Sequence, residues 1–499
     1  MMPSVRGFGL HRTAITATAI VGAAVIAGAL AVQSTTLAIG LLSVVSIGIF
    51  LLVARELRRP LLAALFLLAP VDISKAIIAP LVSRYYAAGP YYSPGLYLSL
   101  AHMVLLLLVI VWLGRRLFIE RRLPPMTAVD GFALIYVVYI WLRSVGTPQG
   151  ILSIGSAASY TLAVLGFYAA SHTIQSTSDL RLVVRTSLAA ILMTFIYVAL
   201  QALTQSPLPL PGAKALASGA ILNFGGDKEV FRPSGFTNHP NALAHYLIIV
   251  LPPSFALALL GPRRIPSRVW WIAVAVTLGA GMSLLVTLSR GGWASFVLSA
   301  AVVVAVYTYC GLINRRQLGF AAVAVVIGTI ILLVIYPNIL LRLTAPDNRS
   351  LESRVLLADM AFTIIEANPF TGIGFGGYNR AAYEYSAPLF ATVTSDYQLA
   401  LHQLVVHNHF LLIGAELGVP AMLLFIYLLW RFIKLPLPFN RWRDPGAFAL
   451  AIGLSAAVVG ETLFLNSDNY YADIRVFLFW LAGGVLQALV LNSDRERTR

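Results

Sequence analysis

Residues 269–310, VWWIAVAVTLGAGMSLLVTLSRGGWASFVLSAAVVVAVYTYC, are two long apolar segments joined by a turn that carries an arginine. The segments cover residues 269–288 and 292–310, and each is close to the roughly 20 residues that a helix needs to cross the hydrocarbon core of a bilayer. Between them lie only Ser289, Arg290 and Gly291. The stretch therefore predicts a transmembrane helical hairpin with a charged tip.

The composition extends this prediction from one hairpin to the whole chain. Of the 499 residues, 59% are hydrophobic and 11% are charged, whereas a soluble domain carries roughly 25% charged residues. We predict an all-α polytopic membrane protein with about 14 (12–14) transmembrane helices and a large extracytoplasmic loop that contains short helices. The expected spans are 13–32, 37–53, 61–80, 96–113, 131–143, 151–173, 182–203, 240–260, 269–288, 292–310, 318–336, 408–430, 447–464 and 476–491.

The net charge of +15 would fit a nucleic-acid-binding protein, but the distribution of the basic residues favours another interpretation. Arginines cluster in every second connection between the expected spans, for example in 55–59, 115–122 and 263–268. This alternation is typical of cytoplasmic loops. It places both termini in the cytoplasm, and it indicates contact with anionic membrane lipids rather than with nucleic acid.

These assignments divide the chain into five regions. Residues 1–203 are expected to be N-terminal transmembrane scaffold helices, 204–239 an extracytoplasmic loop, and 240–336 transmembrane helices with the outer Arg290 hairpin. Residues 337–407 are the large extracytoplasmic loop that we expect to be catalytic, and 408–499 are C-terminal transmembrane helices. Asp72 and Lys75 are expected to share one face of the third helix, either as a structural pair or lining a site.

The large loop has its own structural signals. A helix is predicted from Ser350 to Ala367, ending before Asn368-Pro369, because the residue before a proline disfavours the α conformation. The glycine-rich run 372–377 formally contains GxGxxG, but a helix precedes it, so we predict a tight turn and no dinucleotide site. Five apolar residues recur at helical spacing and should pack against the bundle: Leu351, Val355, Ala358, Phe362 and Ile365.

Several arginines lie on the expected outer side, where positive residues are sparse. Arg290 has almost no loop around it, so it must reach the interface or face a polar cavity. Arg232 has no role in topology or capping, and both anion binding and a structural role stay open. Arg349 and Arg354 lie near the start of the predicted helix, where the free backbone N–H groups would support a bound anion.

Histidines and acids supply the candidate proton-transfer groups. His407 is the candidate general base, because a neutral imidazole accepts a proton near pH 7. Asn408 suits a helix start, and Asn238 or His239 suits the cap of the helix that begins at Pro240. A metal pair of His407 and His409 is not expected, because side chains at i and i+2 of a helix diverge. Three acidic residues lie on the expected outer side, and each is expected either to pair with an arginine such as Arg475 or to act in the site: Glu416, Glu461 and Asp473.

Four motifs, taken together, resemble the O-antigen ligase/polymerase superfamily over about 230–420. They are Arg-Pro-Ser-Gly-Phe-x-x-His-Pro-Asn from Arg232, Ser-Arg-Gly-Gly from Ser289, the Ser353-Arg354 pair with Asn-Pro-Phe and the glycine run after it, and His-Asn-x-Phe-Leu from His407 with Glu416 beyond. The resemblance implies a glycosyltransferase that needs no cofactor. Its donor would be an oligosaccharide linked to undecaprenyl diphosphate, and its acceptor a glycan or a lipid-linked glycan.

The resemblance also implies roles for individual residues. Arg232 and Arg290 match the arginines that hold the donor diphosphate, and His407 matches the essential histidine of the long loop. From its place near a helix start, Arg354 is expected to bind the donor diphosphate as well, and Arg349, Asn408, His239 and Glu416 are candidate supporting residues. The site would face outward from the bacterial cytoplasmic (inner) membrane. The expected number of spans exceeds that common among ligases, so ligase and polymerase activity both stay open.

Two other function classes stay open. A transporter or flippase of lipid-linked oligosaccharides would use ionisable residues along a path through the membrane, and His245 with the Asp72 and Lys75 pair is compatible with one. A metal-dependent glycosyltransferase would need carboxylate ligands, for which Asp227, Glu229 and Asp359 are available. No metal-ligand spacing supports this second alternative.

Overall fold

The structure is a computed structural model that describes residues 57–78, 95–148, 150–210, 220–223, 229–313, 336–344, 350–385, 404–469 and 474–498, with isolated positions 316, 319, 326, 328 and 334. These residues are mostly helical, which confirms the all-α class. The helices are α1 (Arg58–Leu68), α2 (Leu100–Gly114), α3 (Ala128–Ser144), α4 (Ile151–Thr173), α5 (Thr177–Thr204), α6 (Pro240–Leu260), α7 (Ser267–Val286), α8 (Arg290–Tyr309), α9 (Asn338–Thr344), α10 (Ser350–Ala367), α11 (Tyr378–Tyr385), α12 (His409–Leu417), α13 (Val419–Lys434), α14 (Pro445–Phe464) and α15 (Ile474–Thr498). Two short antiparallel ribbons join them: β1 (Ser74–Ile78) with β2 (Leu96–Ser99), and β3 (Ile221–Asn223) with β4 (Glu229–Phe231).

The chain divides into two compact units. The first comprises residues 1–62 and 106–125, and the second comprises 63–105 and 126–499. In the first unit, a π-helical turn at Arg115–Ile119 follows α2, and Arg115 forms an exposed ion pair of 3.0 Å with Glu120. All the candidate site residues belong to the second unit.

Eight helices of the described residues are long and apolar enough to cross a membrane. The predicted spans 13–32 and 37–53 lie outside the described residues, and so does most of 318–336. The predicted total of about 14 is therefore not confirmed. The eight helices are Leu100–Ile119, Ile151–Thr173, Thr177–Thr204, Pro240–Leu260, Ser267–Val286, Arg290–Tyr309, Pro445–Phe464 and Ile474–Arg497.

The prediction of a continuous helix at 61–80 is wrong. Helix α1 ends at Leu68, and the chain turns at Ala69 and Pro70 because proline lacks an N–H and disfavours the α conformation before it. Strand β1 follows, so Asp72 and Lys75 do not share a helix face. Asp72 is buried before the strand, and Lys75 is exposed within it.

The predicted span 408–430 is likewise two helices instead of one. Gly418 breaks it with a positive φ of 87°, and a Cβ atom there would lie 2.5 Å from the carbonyl oxygen of Phe370. Only glycine avoids both the strained backbone and the clash. The short helix α12 therefore ends at Leu417, and it begins immediately after Asn408, beside the candidate base.

The loop helix α10 has the predicted bounds but buries a different face. Of the predicted packing stripe, Ile365 packs as expected, whereas Val355 and Phe362 are about half exposed and do not. The residues that pack instead, against α11, α12 and the segment before α12, are Leu357, Met360, Ala361 and Ile364.

Candidate functional site

Arg232 lies directly after strand β4 and is 5% exposed. Its backbone N–H donates to the carbonyl of Ala220 at 2.7 Å. Its Nε donates to the carbonyl of Thr287 at 2.7 Å, and its Nη2 donates to Oδ1 of Asn241 at 2.9 Å. The short ribbon and these bonds hold the guanidinium against the turn of the α7–α8 hairpin.

That turn has an unusual backbone conformation, and arginine side chains contact it. Leu288 is fully buried with a positive φ of 54°, a conformation that costs a non-glycine residue roughly 1 to 2 kcal/mol. Ser289 then caps α8 by accepting from the N–H of Gly292 at 3.3 Å. The half-buried Arg290 is the first residue of that helix, and Nε of Arg342 donates to the carbonyl of Leu288 at 3.3 Å. Arg232 and Arg342 thus contact the turn that presents Arg290.

His239 caps helix α6, as predicted, and Pro240 occupies its first turn. The Nδ1 atom of His239 accepts from the backbone N–H of Asn241 at 2.9 Å, so the ring proton resides on Nε2. Burial, together with the positive charge of Arg232, lowers the pKa of His239 to about 3. The ring is therefore a neutral hydrogen-bonding group near pH 7.

The segment that carries His407 lies against the turn that follows α14. The Nδ2 atom of Asn469 donates to the carbonyl of Val406 at 3.0 Å. The backbone N–H of His409 donates to the carbonyl of Leu465 at 2.8 Å. These bonds lie on either side of His407 and fix its backbone.

Asn408 has the structural role that its sequence context indicates. Its side chain caps α12 by accepting from the N–H of Leu411 at 3.1 Å. Its Nδ2 atom also lies 3.5 Å from Oδ1 of Asn466, in the turn after α14. Asn408 thus stabilises the backbone next to the candidate base.

The surroundings of His407 favour its neutral form. Burial lowers its pKa below the ordinary value; the negative charge of Asp468 opposes this shift, and the positive charges of Arg354 and Arg475 add to it. Arg354 is itself exposed on α10. A half-buried, unprotonated imidazole close to arginines can accept a proton at neutral pH.

Asp468 is a functional candidate that sequence reasoning missed. Its Oδ2 accepts from Nδ2 of Asn241 at 3.2 Å, and its Oδ1 accepts from Nη1 of Arg475 at 3.3 Å and from the N–H of Asn469 at 2.8 Å. Burial raises the pKa of Asp468, but Arg475 and the nearby histidines outweigh this effect, so the net shift is downward. Because Asn241 also accepts from Arg232, a continuous polar chain joins the two arginines.

The same turn connects to the Arg290 hairpin. A Cβ atom on Gly291 would lie 2.7 Å from Oγ of Ser467, the residue before Asp468. The only sequence signal for this region is the polar run 466–469 directly beyond the apolar helix α14. The predicted Asp473 and Arg349 lie outside the described residues.

Glu416 contacts the backbone of the glycine-rich run. Its carboxylate accepts from the N–H of Gly376 at 3.0 Å and from that of Tyr378 at 3.1 Å. The predicted tight turn at 372–377 is confirmed: three of its glycines have positive φ, and the turn lies against α12. Glu416 holds this turn, and the carboxylate that pairs with Arg475 is that of Asp468.

No group of three or more His, Cys, Asp or Glu side chains with metal-binding geometry occurs among the described residues. Glu229 is exposed in β4, and Asp359 is exposed on α10. Asp227 lies outside the described part of the chain.

Comparison with known families finds one match, over part of the chain. Residues 273–426 match the family model described as O-antigen ligase, which confirms the resemblance to the O-antigen ligase/polymerase superfamily. The match includes Arg290, Arg354 and His407 and leaves out Arg232 and Asp468. No curated protein matches the chain. The match supports a membrane glycan-transfer function of the O-antigen ligase/polymerase kind.

Proposed function

We propose that this protein is a metal-independent, inverting glycosyltransferase of the bacterial cytoplasmic membrane. It transfers or polymerises a glycan from an undecaprenyl-diphosphate-linked donor onto an acceptor sugar hydroxyl at the outer face. The observation that carries the proposal is the contact of Arg232 and Arg342 with the turn that presents Arg290, together with the hydrogen bonds that fix the backbone on either side of His407.

The arginines are the proposed diphosphate site. As the bond between the sugar and the diphosphate breaks, negative charge develops on the leaving oxygen, and guanidinium groups stabilise it. A hydrogen bond to a charged group contributes roughly 1.5–3 kcal/mol, so two or three arginines supply a substantial part of the barrier reduction. Arg232 and Arg290 hold the diphosphate, and Arg354 approaches from the loop helix.

His407 is the proposed general base. The acceptor hydroxyl oxygen attacks the anomeric carbon, the C–O bond to the diphosphate breaks with its electron pair on the diphosphate, and the hydroxyl proton moves to the imidazole. Attack opposite to the leaving group inverts the anomeric centre. The products are the new glycoside and undecaprenyl diphosphate, and the imidazolium then releases its proton to water.

The test is a transfer assay with purified protein and a lipid-diphosphate-linked donor. His407→Ala, Arg232→Ala and Arg290→Ala are each expected to reduce transfer by at least about 100-fold, as for other groups that stabilise transition-state charge or move a proton. Arg380→Ala is the matched control, because Arg380 contacts the carbonyl of Pro148. Undiminished transfer by all three site variants would refute the assignment.

The alternative is a transporter or flippase of the same lipid-linked oligosaccharides. One observation favours it: Nδ1 of His245 lies 2.8 Å from Oε2 of Glu461, and both side chains are buried between two membrane-length helices. A transporter would move labelled donor across sealed vesicles without forming a glycosidic bond. Movement of labelled donor without new glycoside would favour transport, and a new glycoside in detergent would favour the transferase.

A further inference from the structure

A polar pair lies inside the bundle between α6 and α14. His245 is completely buried, and Glu461 is 1% exposed. The Nδ1 atom of His245 lies 2.8 Å from Oε2 of Glu461. Its Nε2 atom lies 3.0 Å from the carbonyl oxygen of Arg475, in the first turn of α15.

The partners of the ring determine how many protons the pair holds. A carbonyl oxygen only accepts hydrogen bonds, so Nε2 of His245 must carry a proton. On the other side a second proton must lie between Nδ1 and the carboxylate, because two lone pairs at 2.8 Å would repel each other. Whether this proton resides on His245 or on Glu461, the pair has no net charge, which the apolar interior tolerates far better than a single ion.

The pair is the far end of a longer polar chain. The carbonyl that His245 contacts belongs to Arg475, whose guanidinium binds Asp468. Asp468 accepts from Asn241, and Asn241 accepts from Arg232. The chain therefore extends from a buried pair in the second turn of α6 and the last turn of α14 to the proposed donor-binding arginine.

We infer that His245 and Glu461 are positioning residues for the donor diphosphate site. They fix the first turn of α15, which places Arg475 against Asp468 and, through Asn241, holds Arg232 in its binding orientation. This inference rests on the proposed function. Because neither residue is placed at the reacting atoms, their loss is expected to weaken donor binding more than it slows the chemical step.

The test compares variants that break the pair with one that preserves it. Glu461→Ala and His245→Ala are expected to raise the donor KM about tenfold with a smaller change in kcat. An effect of this size is typical of residues that interact within one hydrogen-bond network. Glu461→Gln keeps the contact, because its amide N–H donates to Nδ1 while Nε2 retains its proton. Its donor KM should therefore stay within about twofold of the wild-type value, since no partner is lost.

A second buried pair provides the matched control. Nε2 of His172 lies 3.0 Å from Oδ2 of Asp130, both side chains are 2% exposed, and Gln487 of α15 donates to the same carboxylate. Gln487 lies about 18 Å farther along α15 than Arg475. Asp130→Ala should lower the unfolding temperature as Glu461→Ala does, but it should leave the donor KM unchanged.

A double variant tests the route of the effect. If the pair acts through Asn241, then Asn241→Ala alone should raise the donor KM, and adding Glu461→Ala should raise it little further. Unchanged donor KM in Glu461→Ala and His245→Ala, with active wild-type protein, would overturn the inference and leave the proposed function intact. Wild-type protein that transfers nothing would overturn the proposed function, and the inference with it.

Discussion

The backbone N–H of His409 donates a 2.8 Å hydrogen bond to the carbonyl oxygen of Leu465. With the bond from Asn469 to the carbonyl of Val406, it joins the end of the large loop to the turn after α14, so that the candidate base and Asp468 belong to one local structure. Asp468 in turn contacts Asn241 at the start of α6. Segments far apart in the chain therefore meet at the site, and each supplies a charged or hydrogen-bonding group.

The first prediction concerns the pH dependence of transfer. The pKa of His407 is lowered, so the unprotonated form should persist as pH falls to about 6.5, the ordinary histidine value, and activity should decline only below it. Arg354→Gln removes a positive charge that lowers this pKa, so the acid limb of kcat/KM should move to higher pH. Profiles between about pH 5 and 8 measure the shift, with Arg380→Gln as control. An acid limb that does not move would argue against His407 as the base.

The second prediction concerns the buried pair of Asp468 and Arg475. Their side chains are 6% and 4% exposed, so Asp468→Leu leaves a buried guanidinium without its counter-ion, at a cost of about 3–5 kcal/mol. The double variant Asp468→Leu with Arg475→Met should recover most of the stability, because it removes both charges. It should not recover transfer. Chemical denaturation in detergent measures the first effect, and recovery of activity along with stability would contradict a role in the site.

The third prediction separates Glu416 from the chemistry. Glu416→Ala leaves two buried N–H groups, of Gly376 and Tyr378, without their acceptor, and each such group costs about 1–3 kcal/mol. The unfolding temperature should fall while the donor KM of the folded protein stays the same. The exposed Glu366→Ala is the control. A specific loss of kcat without loss of stability would return Glu416 to the list of catalytic candidates.

The fourth prediction tests the glycine turn. Gly372 has φ +60°, and a Cβ atom there would lie 2.3 Å from the carbonyl carbon of Glu416. Gly146 has φ +75°, and a Cβ atom added there would have no neighbouring atom within 4 Å. Gly146→Ala should therefore cost about 1 kcal/mol from backbone strain alone, and Gly372→Ala several times more. Equal unfolding temperatures for the two variants would show that the turn is not held against α12.

The fifth prediction concerns metal dependence. If arginines alone stabilise the leaving diphosphate, transfer should survive exhaustive treatment with EDTA and should not increase on addition of Mg²⁺ or Mn²⁺. The initial rate with and without chelator is the measurement, and a known metal-dependent glycosyltransferase serves as the positive control. Loss of activity that Mg²⁺ restores would instead favour a metal-dependent mechanism.

Local signals predicted several elements because the determinants lie within a few residues. Asn368-Pro369 ends α10 where predicted, and His239 and Pro240 start α6. In each case a capping residue or a proline determines the conformation of the neighbouring backbone, independently of the rest of the fold. Such features could be read from the sequence alone.

Features that depend on distant contacts could not be predicted in this way. Apolar residues surround most of α10, so the choice between the stripe of Val355 and that of Leu357 depends on what packs against it. Asp468 meets Asn241 across 227 positions of sequence, and no spacing rule relates two such residues.

The side-chain amide of Asn241 uses its oxygen for Arg232 and its nitrogen for Asp468. An aspartate at 241 would place a second carboxylate against Asp468, and an apolar residue would leave both neighbours without this partner. Among natural relatives, positions 241 and 468 should therefore change together or stay fixed together. Correlated changes at positions 241 and 468 in an alignment of relatives would support the bridge that Asn241 forms between Arg232 and Asp468. Independent changes at the two positions would indicate that Arg232 and Arg475 are held separately.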